Sequence, residues 1–180
     1  RKADQDPKQP DQPVPGANDG ASGVGVLLEL ARTLEIERIE KQVWLVFFDA
    51  EDNGDLDGWE WIVGSQRFAA SLTISPSAVV IVDMIGDADQ EIWLERSSNL
   101  ALSNEIWDVA HRLGYDQYFR KLPRWSILDD HTPFLQRGWR AVDIIDFDYA
   151  HWHKTSDTPD KVSPLSLLRV GRTLEKWLEK

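Results

Sequence analysis

The chain has 180 residues and a formal charge of −11 from 31 acidic and 20 basic residues, with nine Trp, one Met and no Cys. That length fits one globular domain, the 42% hydrophobic share is enough to fill its core, and the missing Cys excludes a disulfide framework. The acidity argues against nucleic acid or an anionic membrane as partner, since phosphate binding needs a basic face, and no run of about 18 apolar residues or basic-then-apolar leader is present.

Residues 1–16 contain four Pro and no apolar periodicity, which predicts a loop. The polar opening, Arg1 onward without Met, reads as following a processing site or a truncation. Asn18 and Asp19 are good N-cap residues. Val24, Leu27, Leu28, Ala31 and Leu34 then recur at helical spacing, predicting a helix over Gly20 to Leu34. Val43 to Phe48 (VWLVFF) is a continuous β-branched and aromatic run, which predicts a central strand covered on both faces. A polar loop, Asp49 to Gly58, leads to a predicted helix over Trp59 to Leu72, with Trp61, Ile62, Phe68 and Ala69 as its buried stripe.

Ala78 to Met84 predicts a second buried strand, and Glu91 to Glu95 a shorter one. Leu100 to Leu113 is an amphipathic helix closed by Gly114, with His111 at its surface. Thr132 to Arg137 predicts a short helix and Ala141 to Ile145 (AVDII) a third apolar strand. Ser163 to Leu178 is a terminal helix with Ser163 as cap and Pro164 at its first position. Alternating strands and helices indicate an α/β fold, a three-layer α/β/α sandwich around a largely parallel, mixed sheet.

Ligands of such sheets bind beyond the carboxyl ends of the strands, and there the acids gather. Glu51 and Asp52 follow VWLVFF, Asp83 closes AVVIVDM, and His151 and His153 follow AVDII. Capping or solvation explains any one of these acids alone, Asp19 included. Together, Asp19, Asp52 and His153 meet the need of a catalytic zinc for about three His or carboxylate ligands and an open position, with Glu51 beside them as general acid or base. No Cys nucleophile, GxSxG elbow or phosphate loop competes, and Gly23-Val24-Gly25 lies inside a helix with no strand before it, which makes it a packing feature.

The segments PGANDGASGVGVLLELAR, FFDAEDNG, IVDMIGD, DDHTPF and HWHKTSDTPDKVSP, in this order, resemble the M28 zinc exopeptidases, and within them the glutaminyl-peptide cyclotransferases and their bacterial relatives. The resemblance runs from about Ala3 to Lys180. It implies that Asp19, Asp52 and His153 are metal ligands and Glu51 the catalytic acid/base. It implies further that Asp83 and Asp129 belong to a hydrogen-bonded carboxylate network, with Asp130 and His131 beside them, and that Trp152 lies against the substrate side chain. Two departures stand out. The family usually has Glu-Glu where this chain has Glu51-Asp52, and the His-containing segment that the family carries before ADQDP does not occur after Arg1. The one-zinc ligand set is therefore complete here; a second zinc needs that upstream His.

What the resemblance implies about activity is cyclisation of an N-terminal Gln of peptides to pyroglutamate, or alternatively zinc aminopeptidase hydrolysis of N-terminal residues, with a metal-free, inactive fragment as third reading. It also implies an extracytoplasmic setting, and strands before Arg1 whose lack leaves a sheet edge open and stability poor.

Overall fold

The computed structural model describes residues 1–179. Five helices, α1 (Ala21–Thr33), α2 (Val63–Ser71), α3 (Leu100–Arg112), α4 (Thr132–Gln136) and α5 (Pro164–Leu178), alternate with four strands, β1 (Val79–Asp83), β2 (Ile92–Leu94), β3 (Phe119–Pro123) and β4 (Ala141–Ile145). β1 pairs with β4 and β2 with β3, both ladders parallel, and β2 packs beside β4. Helices α1, α3 and α5 pack together on one face, while α2 and α4 cover the other. This is the expected α/β sandwich, and its paired strands are all parallel.

The larger core lies under α1, α3 and α5, where Ile85, Ile92, Leu102, Ile106, Trp107, Val142, Ile144 and Val170 are buried. AVDII is buried at all five positions because helices cover both its faces. Truncating Ile144 to Ala there costs about 2–5 kcal/mol. Phe48, Phe68 and Phe134 meet edge-on or tilted in the opposite layer.

Four expectations need correction. Val43 to Phe48 forms no strand: among the described residues the backbone groups of residues 41–49 find no backbone hydrogen-bond partner, and Trp44 and Phe47 are half exposed. Apolar composition suits a strand, but only a paired neighbour makes one. β1 is half-buried rather than buried, because β4 is its sole strand partner among the described residues and its other edge looks onto a cleft of about 1040 Å³. The helix expected from Trp59 starts at Val63, since Ile62 takes a left-handed φ of 52°. Asn18 and Asp19 do not cap α1: Gly20, at φ 106°, holds that place without a side-chain hydrogen bond. Strand β3 was not expected, because FRKLP alternates poorly and leaves its last three residues exposed.

Gly23 is required by packing. A Cβ there would stand 2.1 Å from the carbonyl oxygen of Val82, so α1 crosses β1 at the distance only glycine permits. Register between β1 and β4 brings Asp83 level with Ile145, so the loops after both strands open at one edge of the sheet.

Candidate metal centre

Three loops converge at that edge. Asp19 hangs from the turn before α1, Asp52 from the loop before α2, and His153 from the loop after β4. One donor atom from each lies within 4.8 Å of the others, the only such three-residue group among the described residues. His153 Nε2 stands 3.1 Å from Asp52 Oδ1 and 3.7 Å from Asp19 Oδ2. That Asp19 oxygen is buried with no hydrogen-bond partner, and His153 is 1% exposed. A buried carboxylate oxygen without a donor is costly unless a cation completes it. One imidazole and two carboxylates are also the donor chemistry zinc accepts, so these residues fit the ion that the sequence suggests.

The loops are held from behind. Asn18 is fully buried; its Oδ1 accepts the Gly86 N–H at 2.6 Å and its Nδ2 donates to the Met84 carbonyl at 3.4 Å, joining the Asp19 turn to the end of β1. Asp157 accepts the backbone N–H groups of Asn18 and Asp19 and the Tyr149 hydroxyl. The Glu51-Asp52 loop is fastened to the start of α2, where Ile62 and Val63 donate backbone hydrogen bonds to the carbonyls of Glu51 and Ala50. Ala50 and His153 both sit at left-handed φ, 57° and 52°, conformations that a non-glycine residue keeps only when its surroundings enforce them.

Glu51, Asp83, Asp129 and Asp130 line the same cleft as Asp19 and Asp52. Burial and the charge of Asp52 push Glu51 up to about 11. Burial and Asp52 push Asp19 up to about 7, with His153 opposing. Burial also drives Asp52 upward, but the hydrogen bond and charge of His153, helped by Arg1, outweigh it and leave this carboxyl below its ordinary value. Burial first and the neighbouring acids Asp129 and Asp19 second hold Asp83 well above the carboxylate range; burial also raises Asp129, against the Asp130 backbone N–H and the charge of His131. Burial and Asp129 together bring Asp130 to about 7. In both Asp83 and Asp129 desolvation, rather than repulsion between the acids, is the leading cause.

Trp152 stacks on His153 with ring centroids 4.0 Å apart at 26°, and Phe147 backs it at 5.4 Å. His111 lies outside the site, exposed on α3 and paired with Asp116. His151 is bonded to Ser156.

Sequence reading missed two acids behind this front. Asp143, inside β4, is fully buried with neither carboxylate oxygen hydrogen-bonded and His131 Nδ1 3.8 Å from one of them, and burial with Asp129 and Asp83 nearby holds it well above the usual range. The signal was available: one carboxylate inside a fully apolar strand. Glu95 accepts from Ser97, Ser98 and Ile127 and stands 3.2 Å from the buried His131.

The profile of peptidase family M28 matches residues 3–178. Aminopeptidase YwaD of Bacillus subtilis is 28% identical over 177 residues, covering 87% of this chain and 36% of its own length. A Zn-dependent exopeptidase from Parabacteroides distasonis superposes with TM-score 0.92 at 28% identity, over 99% of this chain and 69% of that one. The glutaminyl cyclase of Bacteroides thetaiotaomicron superposes at 0.90 with 29% identity, over 99% and 68%. This chain spans between 36% and 55% of the length of the first curated relatives it matches.

Proposed function

Because the chain belongs to peptidase family M28, we propose that it is a zinc-dependent glutaminyl-peptide cyclotransferase, closing an N-terminal Gln of a peptide to pyroglutamate with release of ammonia. The observation that carries this reading is the three-donor group Asp19, Asp52 and His153 with Glu51 next to a ligand in the same cleft. Relatives of both activities are similar to this chain. The cyclase is favoured because Asp83 and Asp129, which the resemblance places in a hydrogen-bonded carboxylate network, both line the cleft beside Glu51 as buried, raised carboxyls.

Asp19, Asp52 and His153 would hold one zinc ion, leaving a position open. Bound there, the ion supplies Lewis-acid polarisation of the substrate's side-chain amide carbonyl. Glu51, raised to about 11 by burial and the Asp52 charge while no cation offsets that charge, would act as the base once a cation is held beside Asp52: it takes the proton released as the α-amine nitrogen bonds to the amide carbon, and returns it to the amide nitrogen as the C–N bond breaks and ammonia leaves. Asp83 and Asp129, buried carboxyls raised above their ordinary range, line the same cleft and hydrogen-bond the substrate's polar groups. Trp152 presents a flat aromatic face that excludes water from the Gln side chain.

The test is incubation of the zinc-loaded protein with peptides that begin with Gln and with peptides that do not, reading ammonia and free amino acids. Ammonia from the Gln peptides alone supports the cyclase. Free N-terminal amino acids from both sets support the aminopeptidase and overturn it.

A further inference from the structure

Four residues of the proline-dotted N-terminal stretch, Arg1, Asp4, Gln5 and Asp6, reach the loops of the metal centre. Asp4 Oδ1 lies 3.1 Å from His153 Nδ1, the ring nitrogen opposite the one that faces Asp52 and Asp19. The ring N–H axis is not aligned with that oxygen, so the approach is a close contact rather than a formed hydrogen bond, and Nδ1 has no other partner. Arg1 connects this contact to the second ligand loop. Its Nε and Nη2 donate to the two Asp4 carboxylate oxygens at 3.1 and 3.0 Å, and its Nη1 donates to the carbonyls of Asp52 at 2.6 Å and Gly54 at 3.2 Å. The guanidinium also lies over the Trp61 ring, 4.7 Å from its centroid. Next to these, Gln5 N–H donates to the His153 carbonyl at 3.2 Å, and Asp6 Oδ2 accepts from the Thr155 N–H and hydroxyl.

A loop that merely covered the surface would leave its charged ends in water; the Arg1 side chain is only 7% exposed. An imidazole that binds zinc through Nε2 must carry its proton on Nδ1, and a carboxylate at Nδ1 selects that tautomer and fixes the ring. His153 also keeps a left-handed φ of 52°, which its surroundings must hold in place.

We propose that Asp4 and Arg1 form a clamp that pre-arranges the metal centre, Asp4 holding His153 as the Nδ1–H tautomer and Arg1 tying that residue to the Asp52 loop. Neither side chain touches the ion; both are positioning residues. The proposal rests on the zinc reading above. It assigns the polar N-terminal loop a role in metal affinity.

The experiment is a zinc titration of the whole chain against a chromophoric chelator, comparing the parent with Asp4→Asn and with the control Asp11→Asn, whose side chain is 85% exposed on the same loop. Asp4 is itself 35% exposed, so the loss expected for Asp4→Asn is at the low end of what such partners give, about 10-fold in affinity, with Asp11→Asn within about twofold of the parent. Nitrogen NMR of the metal-free parent is expected to show His153 protonated at Nδ1. A parent that binds no zinc overturns the metal reading itself. A parent that binds zinc while Asp4→Asn binds within about threefold of it overturns the clamp alone. Should Asp4→Asn fail to fold, the parent decides: a His153 protonated at Nε2 rather than Nδ1 overturns the proposal.

Discussion

Asp157 Oδ2 accepts the backbone N–H of Asp19 at 3.1 Å, across 138 residues of sequence. The other oxygen of Asp157 takes the Asn18 N–H at 2.9 Å and the Tyr149 hydroxyl at 2.8 Å, and the residue is fully buried. One carboxylate thus holds the turn from which a metal ligand projects. Replacing Asp157 by Ala leaves two amides and a phenol in the interior without an acceptor, and is expected to destabilise the fold by about 3–5 kcal/mol, against less for Asp157→Asn. Urea unfolding measures both; a loss below about 1 kcal/mol for the alanine variant would show that water replaces the carboxylate.

Glu51→Gln keeps the size of the side chain and removes its ability to exchange a proton. Turnover is expected to fall by about 10²–10⁴-fold, while elemental analysis finds zinc unchanged, because Glu51 is not among the three donors that gather. A variant that keeps its turnover denies Glu51 the role of acid/base.

Zinc should stabilise the parent through mass action. At a free concentration of about 100 times the dissociation constant the gain is about 2.7 kcal/mol, read as a rise in melting temperature. His153→Ala removes the one nitrogen donor of the group and should abolish that rise. A full zinc-dependent rise in the variant would move the ion elsewhere.

Two buried acids set opposite trends of stability with pH. Burial drives Glu95 upward, but the hydrogen bond to His131 and those from Ser97 and Ser98 outweigh it and bring it to about 2. The stabilisation it contributes is therefore complete above its ordinary value of 4.5 and is lost as the pH falls from there toward 2. Asp146, lifted to about 8 by burial and by Asp148, binds its proton more tightly in the folded state. Its stabilisation is complete below 3.8 and fades as the pH rises toward 8. Unfolding of the metal-free protein across this range should show Glu95→Gln flattening the acid limb alone and Asp146→Asn flattening the upper limb alone.

Strand β4 was legible to the residue, because AVDII is apolar on both faces and lies between covering helices. The same pattern in VWLVFF misled, since composition reports burial potential and says nothing about whether a neighbour is there to complete the ladder. Donor chemistry and the strand-end rule named Asp19, Asp52 and His153 as a set, but spacing does not report that residues so far apart meet, which topology decides. Asp157 and Asp4 carried no signal at all: each is one acid in a polar loop, and only the fold shows which amide or imidazole it faces.

Gly23 sets a length scale for all of this. Its bare Cα lets α1 lie against the Val82 carbonyl, where an added methyl carbon would meet oxygen at 2.1 Å. Asp19 rides on the front of that helix and Asp83 on the end of that strand. Any larger residue at position 23 would act as a shim, prising the helix away from the strand and carrying one acid off from the others. The spacing of a group of charges is thus gauged by an uncharged contact four residues away in the chain, and a Gly23→Ala protein could keep every ligand and still present them too far apart.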